Sequence, residues 1–331
     1  MNRPRAMRAL LISLCMLIAS LFSAHAQGNV EPLAQVQAGE VTALAVSRDG
    51  SRLFAADAEG NELRIFSLSA DDLLSEIAAV ELDGTPTALT AARDYALVTI
   101  DIGTGADALQ SIGADRFNAN AYSVLNIVDI ADNSRFLTIS PDDRWALLTG
   151  ERWFSIIQVI SETDIIGYPT GGRVNAVTGA LGGGIALVAQ DSPAQVTQYL
   201  LRSNQAPREA RSLRLSAAPS VLMLNDRATI GAVVVGRDTV LLFDAATMQE
   251  LGRTSVRSSI IRLQFAPRED GEWLALSLED DTDIHLFDVT DPEAIGEIGS
   301  FPVGVIPLHM LLSDDLLIIS DGREISVYPS F

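Results

Sequence analysis

Few side chains are available for chemistry. The 331 residues include 43 Asp and Glu and 23 Arg, but no Lys, three His and one Cys. His25 and Cys15 fall in an N-terminal leader, so the working set is carboxylates, guanidinium groups and the imidazoles of His285 and His309. Arg262 and His309 align in an internal repeat at a position where other copies carry Ala43, Ala88, Phe136, Ala176 and Val221. Two polar departures at one position could serve a lactonase-like hydrolase as base and oxyanion support. They suit hydrogen bonding inside a channel equally, because no nucleophile or second base is spaced with them. His285 alternates with Ile284 and Leu286, and is expected to pack or hydrogen-bond between repeats.

A second set recurs once per repeat: Asp57, Asp101, Glu151, Asp191, Asp238, Asp280 and Asp321. Converging carboxylates could hold a divalent cation or draw a basic partner. An Asp opening a turn also bonds its own backbone, and turn chemistry predicts the same recurrence. The densest acid cluster, Glu279-Asp280-Asp281 with Asp283, lacks the alternating acids and Gly of a calcium loop. No Gly-x-Ser-x-Gly elbow, His-Glu-x-x-His or paired Cys is present, and no cofactor is expected.

The third set lies in 101–121, a stretch of Gly, acids and Asn that includes Asp115, Arg116 and Phe117. Its length suits either function or disorder. Arg152 and Trp153 could form a basic and aromatic patch beside it, although packing between repeats would also account for the Trp. Gly103-Thr104-Gly105 is not followed by Lys, so a nucleotide loop is not expected.

Positioning these residues falls to strands. After the leader, period-two alternation and β-branched residues replace any helical stripe. A unit of three short strands and polar turns recurs, with third strands expected at Leu63–Phe66, Leu125–Val128, Ile157–Ile160, Val196–Tyr199, Val240–Phe243, Ile284–Phe287 and Ile325–Tyr328. Their last residues are 62, 32, 39, 44, 44 and 41 positions apart, the period of a four-stranded propeller blade apart from the first interval. Treating 101–121 as an insertion in blade two brings that interval to 41. The expectation is an all-β, seven-bladed propeller over residues 27–331. The last unit has no room for an outer strand, whereas Val30–Val36 precedes the first unit unpaired. Their pairing would close the ring and remove two sheet edges.

Residues 1–26 resemble a secretory signal: Arg3, Arg5 and Arg8, an apolar run from Ala9 to Phe22, then Ala24-His25-Ala26. Cleavage there leaves 20 Arg against 43 acids, a net charge of −23. Such a surface repels nucleic acid and anionic lipid. No later apolar run is long enough for a membrane-spanning helix. The expected location is the periplasm or the cell exterior. Without Cys after the leader, the hydrophobic core must hold the fold unaided.

The stretches Leu44–Asp57 (LAVSRDGSRLFAAD), Leu137–Gly150 and Val303–Asp315 resemble the YVTN and WD-related repeats of exported propellers, and Leu286–Gly304 is similar to the LVIVD repeat. The resemblance implies a propeller and export, and those families are functionally broad. The function expected from residues and resemblance together is a non-enzymatic module binding a protein, peptide or glycan on its loop face. The alternative is the lactonase-like hydrolase.

Overall fold

The second strand of each repeat is an almost unbroken apolar run, because both of its faces are buried. Leu97 packs towards Ala146 and Leu148 of the next repeat, whereas its neighbour Val98 packs towards Phe54 and Ile65 of the preceding one. The computed structural model describes residues 30–103, 107–115, 121–131, 133–139, 143, 145–158, 167–180, 184–201, 206–268, 271–313 and 315–331. The leader expected over 1–26, with Arg116 and Phe117, lies outside them.

The strands form seven four-stranded antiparallel sheets, each a blade with inner, second, third and outer strands. Blade one is Val41–Val46, Arg52–Asp57, Glu62–Ser67 and Glu76–Glu81. Blade two is Thr85–Ala91, Tyr95–Asp101, Asp107–Gly113 and Val124–Ile130. Blade three is Phe136–Ile139, Trp145–Thr149, Trp153–Gln158 and Gly167–Pro169. Blade four is Val174–Ala180, Ile185–Asp191, Ala194–Leu200 and Arg208–Arg214. Blade five is Pro219–Leu224, Ile230–Val235, Thr239–Asp244 and Glu250–Ser255. Blade six is Ile260–Arg268, Gly271–Leu278, Asp283–Asp288 and Gly296–Pro302. Blade seven takes His309–Leu312, Leu316–Ser320 and Glu324–Pro329 from the chain's end and its outer strand, Ala34–Gln37, from the start.

That last pairing is antiparallel, from Ala34 opposite Val327 to Gln37 opposite Glu324. Gln35 donates its amide to the Ser326 hydroxyl at 3.1 Å, and Ala34 and Val36 lie against the core shared by blades seven and one. Among the described residues there are seven hydrophobic clusters, one for each blade-to-blade interface. Each buried Leu, Val, Ile or Phe in them stabilises the fold by about 1.5–3 kcal/mol relative to exposure. With every blade flanked on both faces, the interfaces hold the circle without disulfides.

One expectation is corrected. The third strand of blade two is Asp107–Gly113, fully buried, whereas Leu125–Val128 belongs to the outer strand. Residues 101–121 are therefore not an insertion as a unit, because they contain a core strand. The extra length falls between the third and outer strands, at 114–123.

Candidate functional site

In each antiparallel blade, the connection from second to third strand shares one end of the ring with the entry into the inner strand. All seven acids of the recurring set lie on second-to-third connections or at their edges. Asp115 lies on a third-to-outer connection, which belongs to the opposite end, so the structure separates it from the acids.

Most of those acids are engaged by their own turns. The buried Asp57 accepts backbone N–H groups from Glu40 at 2.9 Å, Glu59 at 3.0 Å and Gly60 at 3.2 Å through one oxygen. The whole carboxylate sits where a side chain at Gly39 would have to be. Asp101 accepts from Gly103 N–H at 2.7 Å and Asp191 from Arg173 N–H at 3.0 Å. Asp321 accepts from Arg323 N–H at 2.9 Å and Glu324 N–H at 2.8 Å. Asp238 accepts the Thr239 hydroxyl at 3.1 Å, and Glu151 lies 3.7 Å from the Arg173 guanidinium. Asp280 is exposed; its neighbour Asp281 is the one that binds Arg257 and His285. Hydrogen bonds from Arg257, the Asp283 amide and His285 outweigh burial and hold the Asp281 carboxyl below the usual range. His285 also lies 2.8 Å from Glu297, so it ties carboxylates of blade six together. Among the described residues, no group of three or more His, Cys, Asp or Glu could hold a metal ion, and no helix is long and apolar enough to cross a membrane.

Arg152 is exposed on the same face. Trp153 is half-buried, with its indole against Gly150 and its side chain in the cluster between blades two and three. Packing accounts for it.

At the centre is a cavity of about 340 Å³, lined by the entry halves of the inner strands. Arg262 and His309 both line it, as their alignment predicts. The registers agree: Arg262 opposes Ser277 and His309 opposes Ser320, as Ala43 opposes Ala56 and Phe136 opposes Thr149. A bulge precedes this position in several blades, between Val41 and Ala43, Pro86 and Ala88, and Ile260 and Arg262. Such bulges re-aim side chains where strands crowd an axis.

Near the entry of four inner strands, a carbonyl is offered to the preceding blade. Thr42 donates to Pro86 O at 3.1 Å, Asn175 to Pro219 O at 2.9 Å and Ser277 to Pro307 O at 3.0 Å. His309 completes the series across the closure, with Nε2 3.1 Å from Val41 O. A carbonyl only accepts, so Nε2 carries the proton and Nδ1 is left as an acceptor. Burial, reinforced by the nearby Arg262 charge, lowers the His309 pKa to about 4, and the bond to Val41 only partly offsets this. Burial likewise lowers the pKa of Arg262, whose guanidinium donates to the Ile261 carbonyl at 2.9 Å.

A second cationic residue, Arg135, also lines the cavity and escaped the sequence reading. It immediately precedes the inner strand of blade three, and the alignment fell on Phe136 instead. Asp107 accepts the N–H of Ser134 at 2.5 Å and so anchors the chain next to Arg135. The signal available in the sequence was an Arg directly before a strand start.

No protein-family model and no curated protein matches this chain. Among solved structures, a chain of hydrazine synthase from Kuenenia stuttgartiensis is similar, with a TM-score of 0.72 over 92% of this chain and 99% of that one. Identity is 12%, so the likeness concerns the fold.

Proposed function

We propose that this chain is an exported, non-catalytic propeller that recognises a protein, peptide or glycan through the end bearing the acid turns and the cavity mouth. The observation that carries the non-catalytic part is the state of His309. An imidazole whose pKa is about 4 is a weak base at neutral pH, and its N–H is committed to Val41. The hydroxyl-bearing residues lining the cavity, Thr42 and Thr87, donate to main-chain oxygens of Pro86 and Thr99. Acid-capped turns support a recognition role, because they fix the loop face before a partner arrives. Exposed Ile306 and Leu308 add apolar contact area at the same end. Export rests on the signal-like residues 1–26.

Deleting 101–121 would remove a core strand, so surface substitution is the suitable test. Combining Arg152→Glu, Asp280→Arg, Ile306→Asp and Leu308→Asp is expected to abolish partner recovery from envelope extract while preserving the melting temperature. Equal recovery by wild type and variant counts against this face. Hydrolysis of small lactones by wild type but not by His309→Ala would replace the binding reading with an enzymatic one.

A further inference from the structure

The formal charge of the chain is −20, yet among the described residues every ionisable group lining its central cavity is basic: Arg135, Arg262 and His309. We propose that this cavity is a site for a small oxyanion-bearing molecule, a carboxylate or phosphate compound, gripped by Arg262 and Arg135. The inference goes beyond the loop-face reading and does not depend on it.

Ring order sets the geometry. Arg262 enters from blade six and Arg135 from blade three, which lie across the circle from one another. Neither has a carboxylate partner among the described residues, although acids outnumber Arg almost two to one. A guanidinium does not lose its proton in a protein, so an enclosed one without a counter-ion is an uncompensated charge. Burial is the sole cause of the depressed Arg262 pKa, which agrees with there being no acid close by. Two guanidinium-bearing residues lining one small space suit the paired oxygens of a carboxylate or phosphate.

The remaining lining restricts the choice further. Thr42 and Thr87 are held by main-chain bonds and act as walls, with Met310 among the apolar residues. His309, uncharged and with Nδ1 as its acceptor, favours a ligand bearing a hydroxyl or amine near its anionic group. A cavity of about 340 Å³ is near the small end of ligand sites, which span roughly 300–1,000 Å³. It admits a metabolite-sized molecule and excludes a folded partner.

The test is calorimetric titration of the full chain with sodium phosphate, sodium citrate and sodium chloride at constant ionic strength. Wild type is expected to give a saturable one-to-one signal with phosphate or citrate and none with chloride. Arg262→Gln and Arg135→Gln are each expected to weaken it at least tenfold, with the melting temperature of Arg262→Gln at or above wild type because a desolvated unpaired charge has gone. Arg262→Lys, which keeps the charge but not the fork, should fall between them and covers the case in which the Gln variant does not fold. A phosphate response alone assigns a phosphate ligand, and a citrate response alone a carboxylate. No saturable signal with either oxyanion, or unchanged affinity in the Arg variants, overturns the proposal.

Discussion

His309 donates its Nε2–H to the carbonyl of Val41, 268 residues earlier in the chain, and so joins the last inner strand to the first beside the central cavity. That bond belongs to a series in which the entry of an inner strand presents a carbonyl to the blade before it, as Pro86, Pro219 and Pro307 do. The bond carries a pH signature. The pKa of His309 when folded is about 4, below the ordinary 6.5, so the unfolded chain binds more protons between those values. Stability contributed by neutral His309 is complete above pH 6.5 and is lost as pH falls towards 4, at most roughly 3 kcal/mol. His309→Gln retains a donor for Val41 but does not titrate. Urea unfolding from pH 7 to pH 4 should therefore show a shallower loss in the variant, and parallel curves would contradict the assignment.

Asp57 acts through its own turn. Replacing it with Ala leaves the Glu40, Glu59 and Gly60 amides of a part-buried turn without their acceptor, and should lower stability by about 1 kcal/mol. Calcium should not change the melting temperature of either protein. A calcium-dependent rise in wild type that Asp57→Ala abolishes would restore a cation role for this carboxylate.

Gly231 lies directly opposite Phe243 in blade five, and a Cβ built there would come within 2.1 Å of the ring. Phe243 is fully buried in the interface between blades four and five. Gly231→Ala is expected to cost about 1–3 kcal/mol by overpacking. Gly50→Ala provides a comparison of another kind: space is open there but φ is +69°, so any loss comes from backbone strain. The pairing Gly231→Ala with Phe243→Leu should recover part of the loss, which denaturation of the double variant would measure.

The circle was legible because second strands buried on both faces read as continuous apolar runs, and because ring closure leaves the two ends complementary. Blade two misled for a physical reason. Its buried third strand contains Gln110 and Ser111, with the Gln110 amide donating to Asp83 at 2.6 Å, so the apolar pattern is broken where burial is greatest. Its outer strand exposes Leu125 at 50% and Ile127 at 48%, so the stronger apolar signal came from the surface. At the site, Arg262 and His309 stood out because they replace small or apolar residues at a repeating position. Arg135 was hidden because it sits one residue before that position. The acids were visible as a recurrence, but only coordinates separate a carboxylate capping its turn from one open to a partner.

The account depends most on closure of the ring by the N-terminal strand, which brings His309 to Val41 and shapes the cavity. Gln35 and Ser326 face each other across that pairing, and the chain has no Cys beyond Cys15. In a Cys15→Ser background, Gln35→Cys with Ser326→Cys should oxidise almost completely to an intramolecular disulfide and raise the melting temperature by several degrees. Failure to form that bond under oxidising conditions, with both thiols freely reactive in the folded protein, would contradict the closure.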